Sequence, residues 1–338
     1  MMLLFVNRQI FLILVVLWVV SFSSSTSASV GGSLRELPLL QSLLDQDEAS
    51  IDYATTKLTI DRLIDSSIDV EVEEEIINEM VETIRASYPP GASAWVRFQA
   101  LKKYLYEAGS WNDGRKFQYD FDDPLGTKIS NKLLPNYIRN RKGNCITMPL
   151  LFVILGDKIG LDVTVSTAPL HLFVRFMDED GQVYNLEATS GANVTRTAWY
   201  REQLNISEQA VNSGIYMQSL SRKETVAAMI TVLAEYYYQR GEYEKAALVS
   251  EMTLKYYPKY VNAMLRLGSA YYRLMQKKYI SLYLRPGDIP VAQRKDFSLL
   301  AQGNLYWFNK AESLGWRKPS PQEEARYLDQ IQGGALSH

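Results

Sequence analysis

The chain has 338 residues, 47% hydrophobic and 22% charged, with 36 Lys and Arg against 38 Asp and Glu for a net charge of -2. That composition excludes a collagen-like or wholly disordered chain, and the even charge balance argues against a nucleic-acid binder, which needs a basic excess or stripe. One cysteine and two histidines (His171 and His338) exclude a disulfide framework and a cysteine-based zinc site and speak against a multi-histidine metal centre, so no metal and no cofactor is expected.

Residues 1–29 read as a secretory signal peptide. Arg8 precedes an apolar run of 13 residues at 10–22, and a Ser-rich stretch with small residues around Ala28 follows. The run is shorter than the ~20 residues of a membrane span. The mature protein is therefore expected outside the cytoplasm, periplasmic or secreted, and membrane-anchored only if the segment stays uncleaved. A lone cysteine in an oxidising compartment is either buried or kept as a free thiol for use.

Residues 34–118 form a helical region. Apolar residues recur at spacings of three and four over 51–64 and 72–84. Glu71, Glu73, Glu74 and Glu75 open the second of these helices, where negative charge suits the helix dipole. A third helix is expected over 94–106, and the breakers Asn112-Asp113-Gly114 and Asp122-Asp123-Pro124 mark a turn-rich stretch after it.

Residues 119–205 change character. A short helix over 133–141 leads to a break at Gly143-Asn144-Cys145 and then to a long apolar run over 146–159, which reads as a buried helix with Pro149 in its first turn. Strands are expected over 162–167, 171–177 and 183–189, the last two joined through Asp178-Glu179-Asp180-Gly181. Residues 222–318 are helical again. Ala234, Tyr237, Gly241, Ala246 and Pro258 fall at the spacings of a tetratricopeptide repeat, a second copy starts near Val261 with Gly268 and Tyr271, and a degenerate unit covers 297–314. The fold class is α+β, a helix-plus-antiparallel-sheet core flanked by helical regions.

The chemistry converges on three positions. Cys145 stands at the mouth of the buried helix, His171 opens a strand 26 residues later, and Asn185 or Glu187 follows on the next strand. Cys, His and a carboxylate or amide are what nucleophilic acyl transfer needs: a thiolate nucleophile, an imidazole base and acid, and a group that orients the imidazole. A helix N-terminus favours the thiolate and offers backbone N–H groups to an oxyanion. Asn185 and Glu187 share a strand face, so either can take the third role, with spacing favouring Glu187.

The stretch Arg141-Lys-Gly-Asn-Cys-Ile-Thr-Met-Pro-Leu-Leu followed by Leu155-Gly-Asp-Lys-Ile-Gly-Leu-Asp-Val resembles the core of the transglutaminase-like superfamily. His171-Leu-Phe-Val-Arg-Phe resembles its His strand, and Asn185-Leu-Glu-Ala-Thr its Asp-Pro-Thr strand, with Glu in place of Asp. The layout resembles the SirB1-like subgroup. The resemblance implies a papain-like core with Cys145 as nucleophile, His171 as base and acid, and Glu187 as the orienting acid. Asn131 falls where the subgroup often has an Asn, which makes it a candidate oxyanion donor.

The function expected from sequence is an exported cysteine enzyme acting on an amide of a peptide or protein. Hydrolysis is preferred to cross-linking, because no acyl-acceptor site is identified. The alternative is an inactive scaffold that binds a protein partner through its repeat-like helices.

Overall fold

The computed structural model describes residues 34–332. The signal-peptide reading of 1–29 and the terminal His338 lie outside the described residues. Among the described residues, no helix is long and apolar enough to cross a membrane.

Four helices come first: α1 (Leu37–Asp45), α2 (Tyr53–Ile64), α3 (Val70–Arg85) and α4 (Ala94–Tyr106). Three start on side-chain caps that satisfy otherwise unpaired first-turn N–H groups. Asp52 accepts from Thr55 N at 2.9 Å, Asp69 from Glu71 N at 3.1 Å, and Ser93 from Val96 N at 3.3 Å. The apolar stripe of α3 buries Ile77, Met80, Val81 and Ile84 and leaves most of its acidic side chains in solvent.

The middle of the chain builds the sheet. The short strands β1 (Gln118–Tyr119) and β2 (Lys142–Gly143) pair in parallel, and α5 (Leu134–Asn140) lies between them in sequence. The helix α6 (Thr147–Lys158) follows, with every residue from Thr147 to Gly156 buried. A helix apolar all round must be covered on all sides. It packs on α3, α4 and α5 and on strands β3 (Asp162–Ala168) and β4 (His171–Met177). Those strands continue into β5 (Val183–Glu187) and β6 (Asn193–Thr195), giving an antiparallel sheet of order β3-β4-β5-β6. The strand expected over 183–189 ends two residues early. The Glu187 carboxylate turns back to accept from Thr189 N at 3.0 Å, which closes a 3-10 turn at Ala188–Ser190. Two short helices not expected from sequence, α7 (Thr197–Gln203) and α8 (Glu208–Ser213), lead away from the sheet.

The C-terminal helices are α9 (Arg222–Gln239), α10 (Tyr243–Tyr256), α11 (Val261–Met275), α12 (Val291–Ser313) and α13 (Pro321–Gln332). Ser221 and Glu224 form a reciprocal capping box on α9, at 2.9 and 3.2 Å. Consecutive helices from α9 to α12 pack on one another, and α9 also packs on α1 and α2. At Gly268 a Cβ would stand 2.9 Å from Phe308, so the small residue lets α11 and α12 close up. The helix expected over 297–314 begins six residues earlier, at Val291, and α13 had no sequence signal assigned to it.

A buried polar chain joins the three regions. Asp61 of α2 pairs with Lys57 and accepts from Leu134 N at 2.7 Å. Lys57 Nζ donates to the Lys132 carbonyl at 3.0 Å, and Lys132 Nζ to Glu235 of α9 at 2.6 Å. The segment 120–132, which backs the Cys145 loop, is thereby held from both sides.

Candidate active site

Cys145 occupies the turn between β2 and α6. Asn144 shapes that turn. Its Oδ1 accepts from Ile146 N at 2.9 Å and Thr147 N at 3.1 Å, its own N–H donates to Thr147 Oγ1 at 3.1 Å, and its Nδ2 donates to the Asn131 carbonyl at 2.9 Å. The cap and its anchor put the half-buried thiol at the N-terminal end of α6. Sequence reading passed over Asn144 in favour of its neighbour. A polar Asx-type residue just before a buried helix is the signal that identifies it.

His171 is delivered by the β3–β4 hairpin, whose two-residue loop is Pro169-Leu170. Leu170 has φ of 59°, a left-handed conformation that a leucine rarely adopts. Its carbonyl accepts from Cys145 Sγ at 3.5 Å, so the strained residue touches the thiol and precedes the imidazole.

The register of β4 and β5 decides which side chain meets His171. Val174 pairs with Leu186 and Arg175 with Asn185. Glu187 is then diagonal to His171 on the same face, within reach of a long side chain. Asn185 stands opposite Arg175, four residues from His171, or roughly 13 Å along the strand. Accordingly, His171 Nε2 meets Glu187 Oε2 at 2.8 Å. Asn185, the alternative third residue, is not brought there: its Nδ2 donates to Thr195 O at 3.3 Å and Thr197 Oγ1 at 2.9 Å.

Glu187 is fully buried and its oxygens are filled. Oε2 also accepts from Tyr200 Oη at 2.8 Å, and Oε1 accepts from Thr189 N at 3.0 Å and Thr189 Oγ1 at 2.5 Å. Burial alone would raise its pKa. The charge and hydrogen bond of His171, helped by Thr189 and Tyr200, outweigh burial and hold the carboxyl below its usual range. For His171 burial disfavours the charged ring. The Glu187 charge and the Cys145 side chain outweigh it and raise the pKa to about 10. The ring's Nδ1 has no hydrogen-bond partner of its own among the described residues, which leaves that nitrogen to serve the thiol. Tyr200 and Thr189 were not singled out from the sequence. The Tyr200 ring stacks on Phe173 at 4.3 Å, and only the fold brings α7 over β4 and β5.

Asn131 does not present an amide to the thiol. Its Nδ2 donates to Asp120 Oδ2 at 3.0 Å and Asp123 Oδ2 at 2.9 Å, so both hydrogens are taken. Its contribution is the backbone carbonyl that anchors Asn144. Among the described residues, no group of three His, Cys, Asp or Glu side chains is placed to hold a metal ion.

A thiol at a buried helix start, an imidazole on the adjoining hairpin and a carboxylate behind it are the outline of a papain-like α+β core. Residues 71–240, half of the chain, match the family described as the Transglutaminase-like superfamily, and the chain belongs to it. Curated relatives include the UPF0162 proteins of two strains of Xylella fastidiosa, Temecula1 and 9a5c. Each is 21% identical over 261 residues, covering 73% of this chain and 89% of the relative. No solved structure matches the chain.

Proposed function

We propose that the protein is a cysteine-dependent acyl-transfer enzyme acting on an amide of a peptide or protein. The observation that carries this reading is the buried His171–Glu187 pair, with Nδ1 left for Cys145 and every Glu187 oxygen held. In the proposed cycle the Cys145 sulfur attacks the amide carbonyl, and His171 gives its proton to the departing nitrogen. The C–N bond breaks and a thioester remains. A water, its proton taken by His171, then releases the acid and restores the thiol. Glu187 keeps the ring oriented and supports its charge. Asn144 takes the N–H groups of Ile146 and Thr147, so the backbone donor offered to the oxyanion is the N–H of Cys145 itself. Hydrolysis is favoured over transfer to an amine.

The SirB1-like layout, the tetratricopeptide-like reading of α9 to α12 and export through residues 1–29 belong to the same proposal. Export supplies the setting, and the stacked helices supply a surface for a protein partner. The test is a trapping experiment. The full chain is incubated with a peptide mixture and hydroxylamine, and hydroxamates are sought by mass spectrometry. The reading expects hydroxamates with the wild type and none with Cys145→Ala or His171→Ala. Equal yields from wild type and Cys145→Ala would overturn it.

A further inference from the structure

The cleft beside Cys145 and His171 is occupied by the chain itself. A cavity of about 100 Å³ runs between the core and helices α9 and α11, with Leu170, His171, Thr231, Tyr260 and Tyr327 among its walls. A second cavity of about 60 Å³ lies on the other side of the hairpin tip, and Leu170 and Tyr327 line that one too. Tyr327 and Leu170 are thus the walls shared by the two hollows, and His171 lines the larger of them. Leu170 is fixed by the β3–β4 hairpin.

The described side chains of α13 show how it is attached. Tyr327 is 9% exposed, whereas the other described side chains of α13 are exposed or half-buried. The helix hangs from its first turn. Ser320 and Glu323 cap each other at 2.8 and 3.3 Å, and Arg317 reaches Glu323 at 3.0 Å. The anchor before it is firm: Trp316 is buried, and a Cβ on Gly315 would collide with the Ala210 backbone at 2.5 Å. Among the described side chains of α13, Tyr327 is the inserted ring, behind a rigid root and a short connection. The ring itself lies among acidic neighbours. Burial, with Cys145, Tyr119 and Glu187 nearby, holds the Tyr327 phenol well above its ordinary range and keeps it neutral.

We propose that α13 sits in the substrate groove, and that the seat of Tyr327 is a subsite for an aromatic side chain of a polypeptide substrate, which must displace the helix to reach Cys145. This rests on the acyl-transfer reading of Cys145. Tyr327 itself fills the seat with an uncharged ring, and Leu170, Leu172, Tyr260 and Leu265 line that hollow together with Lys132, Glu235 and Arg266, so an uncharged aromatic side chain fits where the phenol now stands. With Tyr327 withdrawn, the two hollows join into one groove that runs past His171 and the tip of the β3–β4 hairpin, a shape that suits an extended chain.

The test measures labelling of Cys145 in the full chain by iodoacetamide and by a maleimide carried on a large polymer. The wild type, Tyr327→Phe and Tyr327→Ala are compared. Iodoacetamide should label all three within about twofold, because the thiol is already half-exposed. The bulky reagent should label Tyr327→Ala at least about tenfold faster than the wild type, with Tyr327→Phe near wild type. N-acetyl-tyrosinamide should then slow labelling of Tyr327→Ala, and N-acetyl-alaninamide should not. Equal bulky-reagent rates in wild type and Tyr327→Ala, or equal protection by the two amides, would overturn the proposal. Thermal unfolding of Tyr327→Ala at the wild-type midpoint verifies that the fold is intact. Labelling needs no turnover, so failure of this proposal is read from the labelling rates and failure of the acyl-transfer reading from the hydroxamate experiment.

Discussion

Glu187 is the side chain on which the site's electrostatics turn. It is buried, ionised and saturated with donors, and it keeps the His171 ring charged to about pH 10. Replacing it with Gln removes the charge and keeps the shape. The His171 pKa, followed by NMR of the ring protons, should fall by at least one unit. A pKa still near 10 would mean that Glu187 is not the source of the shift. The same pair makes stability depend on pH in a definite direction. The folded pKa of His171 lies above the ordinary ~6.5, so its contribution is complete below about pH 6.5 and fades as pH rises through about 10. The folded pKa of Glu187 is depressed, so its contribution is complete above the ordinary carboxylate range and fades as pH falls through the folded value. The melting temperature should therefore decline from pH 7 to pH 10, and His171→Gln should flatten that decline. An unchanged slope in His171→Gln would contradict the assignment. Thr189 adds a hydroxyl hydrogen bond to Glu187, so Thr189→Val should cost about 1 kcal/mol of unfolding free energy in denaturant titration.

At the scale of elements, α6 matters because its N-terminal end carries the thiol. Asn144 accepts from Thr147 N, the first N–H of α6, and from Ile146 N before it, so Asn144→Ala should cost about 1–2 kcal/mol and slow Cys145 labelling, and Asn144→Asp should not restore the stability, because an oxygen would replace the Nδ2 that donates to the Asn131 carbonyl. Equal stability in Asn144→Ala would show that the turn holds itself. The elements were legible in the sequence to different degrees, for physical reasons. Helix 94–106 and strand 171–177 are found where the apolar spacing and flanking turns put them. The end of β5 was not legible, because it is set by a side chain folding back onto Thr189 rather than by a breaker. The choice between Glu187 and Asn185 was open for a similar reason. Both sit on one face, and the cross-strand register selects between them. The surroundings of Asn131 were not legible, because its position in the chain says nothing of Asp120 and Asp123, which accept from its amide. Helices α7 and α13 are short or mostly polar, and their importance lies in single tyrosines, Tyr200 and Tyr327, whose neighbours are distant in sequence.

For the whole molecule, the decisive feature is that helical regions on both sides brace the segment behind the site. Lys132, buried between α2 and α9, pairs with Glu235 at 2.6 Å, and Arg266 stands 3.8 Å from the same carboxylate. Cutting one partner strands a buried charge. Lys132→Met should cost about 3 kcal/mol, while the double change with Glu235→Met should recover much of that loss. Simple additivity of the two losses would mean that the residues do not act as a pair. The central claim is that Cys145 and His171 work as an assembled pair, and it is tested most directly by the rate of Cys145 alkylation against pH in wild type and His171→Ala. The account predicts that at pH 6 the wild type reacts at least about tenfold faster, and that the two rates converge well above pH ~8.5, where ordinary thiols ionise unaided. Superimposable profiles would contradict it and leave the Cys145 region as a scaffold.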